Sequence, residues 1–340
     1  MTAWHTASAP GKFVILGEHS VVYGKPAVVL AADRRITCGV RRGRRNLLNG
    51  EPMEFSRQPH FRYLTRNLRH AVEFVTRSDI PTGAGLGSSA ALAASVALAL
   101  EDLAGNDPDE RKLVDEAYGA ELAAQGNGSP MDASACVHGG GIGVNIPGTE
   151  KKGLWRISRN GRVWNVSDVD VPDMTFVIGN TGVRAPTGPQ VDKVRRFVGR
   201  SNFASEMIEE IGNVTLSGYE ALQRGDVEAL GRMMTTDHKL LSILGVSCKE
   251  LNKLVNAALP YSYGAKLTGS GGGGCMVALT DDPEKVASVI MARGGVAYVM
   301  GAGSEGARLE SSLPEGPAFD IPALERSEVG GWTRPTLFTT

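Results

Sequence analysis

Residues 81–91 read Pro81-Thr82-Gly83-Ala84-Gly85-Leu86-Gly87-Ser88-Ser89-Ala90-Ala91, and a run of helix-forming residues follows them as far as Gly105. Three glycines at alternate positions let the backbone turn tightly and approach a bulky anion, because no Cβ blocks the approach. A helix that begins directly after such a loop presents unpaired N–H groups and the positive end of its dipole. The stretch therefore predicts a phosphate-binding loop, although an ordinary glycine-rich turn capped by Ser88 has the same pattern.

The composition is that of a globular protein without a charge-driven partner. The chain has 340 residues, 42% of them apolar and 21% charged, so one large or two ordinary domains can bury a core. A net charge of −1 gives no electrostatic argument for nucleic acid or a membrane surface as a partner. The first ten residues lack the features of a signal peptide, and the apolar run within residues 90–100 is too short to span a bilayer.

The cysteines and arginines add one expectation and one open question. Four cysteines are far apart and form no CxxC pair, which favours neither structural zinc nor a disulfide framework and predicts a cytoplasmic protein. Six arginines lie between Arg34 and Arg45. They form either a solvated strand-and-turn face or a contact for phosphate or a lipid pyrophosphate.

Several polar residues have both a structural and a functional interpretation. Lys12 borders an apolar strand, either as an exposed strand end or as a positioned ammonium group that stabilises a phosphoryl oxygen. The adjacent Glu18 and His19 favour a surface position when taken as an isolated pair. Glu121 falls late in a predicted helix, facing solvent or binding a divalent ion. Asp132 either caps a helix that begins at Ala133 or projects into a cleft as a base.

Hydrophobic periodicity predicts strands and a helix before the glycine loop, and mostly helices between residues 190 and 259. Residues 3–8 and 13–16 predict short strands, and residues 60–77 predict one amphipathic helix. The segment 190–259 predicts helices that are interrupted at Gly199, Gly225 and Gly245.

The last third of the chain predicts a second domain. Residues 260–308 give the order strand, loop, strand, helix, strand, typical of an antiparallel sheet with helices on one side. Within it, Lys266–Cys275 contains a second glycine-rich loop, which indicates a backbone that passes close to a ligand; a flexible hairpin turn is the alternative. From about residue 309 the composition shifts to Pro, Gly, Ser and Glu, and we expect a tail that packs loosely or onto a partner chain.

Three motifs in a fixed order resemble those of the mevalonate kinases in the GHMP kinase superfamily. They are Pro10 to Gly24, with the sequence PGKFVILGEHSVVYG, then Pro81 to Ala91, and Leu267 to Gly274. Met234 to Ser247 also resembles the mevalonate kinase branch, whereas neither a Walker A sequence nor a protein-kinase HRD or DFG set is present. The resemblance covers most of residues 8–280.

The resemblance implies an α+β, two-domain GHMP kinase fold with ATP bound between the domains. The N-terminal domain, over residues 1–172, is expected to be like ribosomal protein S5 domain 2. The C-terminal domain, over residues 173–308, is expected to be ferredoxin-like. The tail, residues 309–340, is not covered by the resemblance.

The resemblance also implies an activity and a set of site residues. The reaction is transfer of the ATP γ-phosphoryl group to the 5-hydroxyl of (R)-mevalonate, a step toward isoprenoid precursors. Asp132 and Lys12 match the family's catalytic pair, Ser89 and Glu121 match its Mg²⁺ ligands, and the substrate-lining positions match Glu18, His19 and Thr187. The expected ATP-binding residues are Pro81, Gly83, Ala84, Gly85, Leu86, Gly87, Ser88, Ser89, Gly271 and Gly272. The segment around Arg184 departs from the family's usual spacing, so Arg184 receives no role.

Two other classes of function stay open. One is a sister kinase acting on phosphomevalonate, the mevalonate 3-hydroxyl or galactose. Galactokinases continue the Gly-Glu-His motif with Asp-Tyr, whereas Ser20-Val21 follows here, and diphosphomevalonate decarboxylases lack the Gly11-Lys12 pairing. The other is a non-catalytic sensor, which would need no base at Asp132. Family members are often dimers, so the resemblance also favours a homodimer.

Overall fold

The computed structural model describes residues 3–81, 85–126, 128–159, 161–313, 325–326 and 332–333. The predicted ATP-binding residues Gly83 and Ala84 lie outside these ranges, as does most of the predicted tail.

Strands and helices are numbered in chain order. The strands are β1 (His5–Leu16), β2 (Ala27–Arg42), β3 (Leu47–Leu48), β4 (Glu51–Pro52), β5 (Val72–Ser78), β6 (Gly141–Val144), β7 (Gly153–Arg159), β8 (Arg162–Val169), β9 (Thr175–Asn180), β10 (Gly264–Thr268), β11 (Cys275–Leu279), β12 (Val296–Gly301), β13 (Arg308–Glu310), β14 (Glu325–Arg326) and β15 (Trp332–Thr333). The helices are α1 (Pro59–Leu64), α2 (Ser88–Ala104), α3 (Glu110–Gln125), α4 (Met131–His138), α5 (Thr187–Val198), α6 (Asn202–Gln223), α7 (Val227–Ile243), α8 (Lys249–Ala258) and α9 (Pro283–Ala292).

The first sheet is built around the long antiparallel pair β1–β2. Its strand order is β4-β3-β5-β2-β6-β8-β7, and β1 pairs with both β2 and β13. The two short strands predicted over 3–8 and 13–16 are one strand, because a register shift between Pro10 and Lys12 accommodates the turn-like residues without ending the ladder. The irregularity leaves Lys12 inside a buried strand rather than at an exposed strand end.

Helix α2 packs against β1 and β2 and forms the centre of this half of the molecule. Its residues from Ala90 to Ala99 are buried without interruption, as expected of a helix enclosed on all sides. It ends at Gly105, which has a left-handed φ of 73°, as the helix-forming run predicts. Helix α3 ends at Gln125, so Glu121 falls late in it, as predicted.

The predicted amphipathic helix over residues 60–77 is wrong beyond its first turns. Helix α1 ends at Leu64, and residues 72–78 form β5, where Val72, Phe74 and Thr76 are buried alternately with more exposed neighbours. The apolar residues of this stretch fit a period of two as well as a helical period, and pairing with β2 decides for the strand.

The second sheet has the order β10-β11-β9-β12, and its pairings are all antiparallel. Helices α8 and α9 pack on it, and α7 lies against β10. The helical region breaks at the predicted glycines, and residues 260–301 follow the predicted strand, loop, strand, helix, strand order. This arrangement confirms the α+β prediction.

The chain returns to the first sheet after β12. Ala302 bridges to Ala32, Glu305 bridges to Gly139, and β13 pairs with β1. Residues at the predicted start of the tail therefore belong to a sheet ladder. From the arginine cluster, Arg35 donates to the carbonyl oxygens of Ser8, Glu305 and Gly306 and so helps to hold this return in place.

Across the described ranges, no helix combines the length and apolarity needed to cross a bilayer.

Candidate active site

The structure brings Lys12 and Asp132 together. Lys12 lies at the irregularity of β1, and Asp132 lies in the first turn of α4; Lys12 Nζ is 3.0 Å from Asp132 Oδ2. The Lys12 side chain is 5% exposed, whereas that of Asp132 is 32% exposed and can reach a ligand. Asp132 Oδ1 is buried and has no hydrogen-bond partner among the described residues. A charged pair with one unpartnered carboxylate oxygen is suited to receive a proton donor.

Lys12 also lies directly against the glycine loop. Its backbone N–H donates to the carbonyl oxygen of Leu86 at 2.9 Å. Gly87 has a φ of 71°, and a Cβ added there would lie 2.7 Å from Lys12 Cγ. Glycine is therefore required at 87 both for the backbone conformation and for the passage of the lysine side chain.

The start of α2 is open in the way that an anion site requires. Gly87 is the N-cap, Ser88 is the first helical residue, and no described side chain caps the helix. No acidic residue lies in the first turn. The alternative of a turn capped by Ser88 is therefore not observed, and the N–H groups of the first turn remain available to a ligand.

Ser89 and Glu121, the predicted metal ligands, are in contact across α2 and α3. The Ser89 hydroxyl donates to Glu121 Oε1, and Gln125 Nε2 donates to Glu121 Oε2 at 2.8 Å. A hydroxyl and a carboxylate beside an open helix start are donors of the type that Mg²⁺ prefers. The described residues contain no group of three or more His, Cys, Asp and Glu side chains that could hold a metal. The donor set therefore fits a cation that takes its remaining ligands from a phosphate and water.

His60 also joins this pair, although the sequence does not distinguish it from the other residues of the helix predicted over residues 60–77. Its Nε2 lies 2.8 Å from both Glu121 Oε1 and Ser89 Oγ, and the residue is 4% exposed. The signal for it is weak. A single histidine on a short helix most often faces the core, and only the packing of α1 against α3 brings it to Glu121.

The Lys12–Asp132 pair lies near the cluster formed by Ser89, Glu121 and His60. Burial raises the pKa of the Cys136 thiol well above its usual range, and the nearby charges of Asp132, Lys12 and Glu121 also act on it. Cys136 lies in α4, which packs against α2, α3 and β1. The helix that carries Asp132 thus connects the lysine pair with the carboxylate at 121.

His19 and Thr187 meet at the second glycine loop. His19 has a positive φ of 61°, which is uncommon outside glycine, and its Nε2 lies 3.0 Å from the Ser270 carbonyl oxygen. Burial lowers the pKa of His19 to about 4, so the ring is neutral near pH 7 and donates from Nε2. The Ser270 hydroxyl in turn lies 3.5 Å from Thr187 Oγ1 at the start of α5. Ser270 therefore links two of the three predicted substrate-lining residues.

Glu18 lies beneath this surface rather than on it. Its side chain is 2% exposed and forms an ion pair with Lys266. Burial raises the pKa of Glu18 to about 8, against the opposing effect of the Lys266 charge. The carboxyl group therefore faces the protein interior, where the expected direct substrate contact is not available to it.

The second glycine loop is held against the end of α7. Gly271 has a φ of 74°, and a Cβ there would lie 2.1 Å from the Val246 carbonyl oxygen. The Gly272 N–H donates to the same oxygen at 2.7 Å. The loop connects the antiparallel strands β10 and β11, and its backbone closely approaches that of Val246.

Comparison with known proteins shows similarity over nearly the whole chain. The family model for the GHMP kinases N terminal domain matches residues 58–140, and the model for the GHMP kinases C terminal domain matches residues 219–304. The mevalonate kinase of Thermococcus onnurineus is 31% identical over 91% of this chain and 99% of its own length. That of Pyrococcus furiosus is 30% identical over 90% of this chain and 98% of its own.

A solved structure has the same fold. The crystal structure of L. major mevalonate kinase in complex with R-mevalonate superposes with a TM-score of 0.75. The superposition covers 90% of this chain and 97% of that one, at 22% sequence identity.

Proposed function

The chain belongs to the GHMP kinase family, within its mevalonate kinase branch, and on that premise we propose that it transfers the γ-phosphoryl group of ATP to the 5-hydroxyl of (R)-mevalonate. The products are ADP and 5-phosphomevalonate, an isoprenoid precursor. The observation that carries the proposal is the Lys12–Asp132 pair, 3.0 Å apart and in backbone contact with the glycine loop at Leu86.

Asp132 is the proposed base. It accepts the proton of the substrate hydroxyl as the oxygen forms its bond to phosphorus and the bond from phosphorus to the bridging oxygen of ADP breaks. Its side chain is 32% exposed, so a bound alcohol can reach the carboxylate. Lys12 stays beside Oδ2, at 3.0 Å, and can also pair with the transferring oxygens.

The nucleotide phosphates are proposed to bind at the open start of α2. The N–H groups after Gly87 and the positive end of the helix dipole face them, and the glycine loop around Gly271 closes the other side. Ser89 and Glu121 would hold Mg²⁺, with His60 orienting the carboxylate of Glu121 from behind. When bound, Mg²⁺ would supply positive charge that offsets the negative charge of the phosphates.

The acceptor alcohol is proposed to bind near His19 and Thr187. Both lie at Ser270, and His19 is neutral near pH 7. Because its single N–H, on Nε2, is donated to the Ser270 carbonyl oxygen, the ring can accept a hydrogen bond from the alcohol only through Nδ1. Positioning of the hydroxyl in line with the γ-phosphate is the main requirement of the reaction, because phosphoryl transfer depends chiefly on alignment and charge stabilisation.

The test is a substrate panel with the purified protein. ADP release is measured with mevalonate, phosphomevalonate, galactose and homoserine, and ³¹P NMR identifies the phosphorylated hydroxyl. We expect turnover with mevalonate and a 5-phosphomonoester product. A clear preference for any other acceptor would overturn the assignment, and absence of turnover with every acceptor would favour the sensor.

Asp132→Asn tests the base in the same assay. We expect turnover to fall by about 10³-fold with ATP affinity nearly unchanged, because the amide cannot accept the proton. Asp115→Asn, on the exposed side of α3, is the control and should behave like the parent. Near-parental turnover of Asp132→Asn would remove this residue from the mechanism.

Homodimer formation and a cytoplasmic location are proposed on the family resemblance. The described cysteines Cys38, Cys136, Cys248 and Cys275 are free, which supports a reducing compartment. Light scattering of the purified protein tests the dimer, and fractionation of the source cells tests the location.

A further inference from the structure

Three ionisable side chains from distant parts of the chain meet in the interior between the two glycine-loop motifs. Lys266 lies on β10, Asp237 on α7, and Glu18 in the turn after β1, and their side chains are 0%, 0% and 2% exposed. We call Glu18, Asp237 and Lys266 the buried triad. None of the roles assigned above explains Asp237 or Lys266.

Lys266 makes two hydrogen bonds and one longer ion-pair contact, all within the triad and its own strand. Its ammonium group donates to Glu18 Oε1 and, at 2.8 Å, to the Leu267 carbonyl oxygen, and it lies 3.4 Å from Asp237 Oδ2. The lysine therefore bears one positive charge against two carboxyl groups. If both carboxyls were ionised, a net negative charge would remain without water, at a high cost in free energy.

The carboxyl groups of the triad also have fewer hydrogen-bond donors than acceptor oxygens. Glu18 Oε2, Asp237 Oδ1 and Asp237 Oδ2 are buried and have no donor among the described residues. Both carboxyl groups nevertheless face the same Lys266 ammonium group, so they lie side by side in the interior. Two ionised carboxylates only accept, so a contact between them requires a proton on one of the two.

The surrounding groups do not supply the missing charge. Among the described residues, the titratable groups nearest the triad are His19, beside Glu18 in the turn, and His238, beside Asp237 in α7. Burial lowers the pKa of each to about 4, and the Lys266 charge acts in the same direction. His238 Nδ1 accepts from the Leu267 N–H at 3.2 Å, which leaves its Nε2 as the donor to Asn252. Both histidines are therefore neutral around pH 7.

The buried triad lies next to the proposed acceptor site. Glu18 precedes His19, Lys266 precedes the loop that contains Ser270, and His19 Nε2 bonds to the Ser270 carbonyl oxygen at 3.0 Å. The triad thus lies beneath the contact on which the proposed binding of mevalonate depends.

We propose that Lys266 and Asp237 are positioning residues for the acceptor site, and that Glu18 and Asp237 share a single proton which keeps the buried triad neutral. The proposal rests on the proposed function only for its kinetic consequence. Loss of the proton places an uncompensated negative charge under His19, which disfavours the anionic mevalonate and loosens the turn from the loop. Burial raises the pKa of both carboxyls, that of Glu18 to about 8, so the loss falls just above neutrality.

Infrared spectroscopy of the ligand-free protein detects the proton directly. At pH 7 we expect a protonated-carboxyl band that disappears as the pH rises through about 8. Asp237→Asn and Glu18→Gln should each abolish the band, because either one leaves a single carboxylate opposite Lys266. Absence of the band in the parent, or its persistence in both variants, would overturn the shared proton whatever the protein phosphorylates.

Kinetics separates positioning from general destabilisation. In the parent, KM for mevalonate should rise above about pH 8, approaching tenfold per pH unit, while KM for ATP stays level. In Asp237→Asn the rise should vanish, with kcat changed less than KM. Superimposable pH profiles of the parent and Asp237→Asn would refute the positioning role and leave the kinase assignment intact.

Lys266→Met completes the set. Without the ammonium group both carboxyls should stay protonated, so the infrared band should strengthen and persist to higher pH. KM for mevalonate should rise by at least about tenfold. Lys239→Met, on the exposed side of α7, is the matched control and should leave band and KM at parental values. A variant of Lys266 with the parent's band and KM would contradict the proposal.

Discussion

At the scale of single residues, the site depends on contacts between side chains whose partners lie far away in sequence. Lys12 meets Asp132, Ser89 meets Glu121, and His60 contacts both of the latter. Residue type and motif position were enough to select the first four. His60 could not be selected from the sequence, because only the packing of α1 against α3 brings it to Glu121.

The contact of His60 with Glu121 predicts weaker cation binding in His60→Ala. The carboxylate of Glu121 loses the partner that orients Oε1, and loss of such a partner reduces metal affinity by about tenfold. Titration of Mn²⁺ in the presence of ADP, followed by electron paramagnetic resonance, measures the effect without turnover. His70→Ala, an exposed histidine soon after α1, is the control. Equal Mn²⁺ affinity in the two variants would show that His60 has no part in the cation site.

At the scale of elements, α2 and its preceding loop form the unit that the sequence predicts best. Alternating glycines followed by a run of small helix formers determine both the loop and the helix locally. The local pattern does not reveal that the loop must also leave room for the side chain of Lys12, which packs against Gly87. That requirement arises from the irregularity in β1 and makes Gly87 part of the site.

Gly87→Ala should therefore impair catalysis more than it impairs folding. The alanine is strained at φ 71° by about 1 kcal/mol, and its Cβ must displace Lys12 from Asp132. We expect turnover to fall by at least about tenfold. Gly105→Ala, at φ 73° with open space around it, has the same strain without the contact and should lose stability alone. Steady-state kinetics and urea unfolding of both variants distinguish the two effects, and equal turnover would contradict the role of Gly87.

At the scale of the whole molecule, the two sheets are joined by contacts between the first motif, Pro10 to Gly24, and the third, Leu267 to Gly274. Thr268 on β10 bonds with its side chain to both the N–H and the carbonyl oxygen of Val14 on β1, at 3.1 and 3.0 Å. His19 bonds to Ser270, and the buried triad lies below them. The contacts that connect the two sheets therefore also form the proposed acceptor site.

His19 and His238, the two neutral histidines at the contact between the sheets, predict that the free energy of unfolding decreases at acidic pH. The pKa values of His19 and His238 fall from 6.5 to about 4 on folding, so the unfolded chain binds more protons between these values. Their stabilisation is complete above pH 6.5 and is lost as the pH falls through 4, by about 2–3 kcal/mol for each ring. Glu18, with its raised pKa, acts in the opposite sense between pH 4.5 and about 8.

The effect is isolated by comparing variants. Urea unfolding of the parent, His19→Gln and His238→Gln is measured from about pH 7 to about pH 4. Each variant should lose less stability over this range than the parent, and His70→Ala should follow the parent. Parallel curves for all four proteins would show that neither ring resists protonation in the fold.

The sequence by itself determined the glycine loops, the helix α2, the α+β class and the family, because each depends on local residue patterns or on motifs in a fixed order. The tertiary structure alone decided that residues 72–78 pair as a strand and that β13 returns to β1. It also decided that Glu18 faces Lys266 and Asp237 in the interior, where the sequence predicted a substrate contact. Strand pairing and the burial of charge depend on which distant segments meet, and that is settled by the free energy of packing the whole chain.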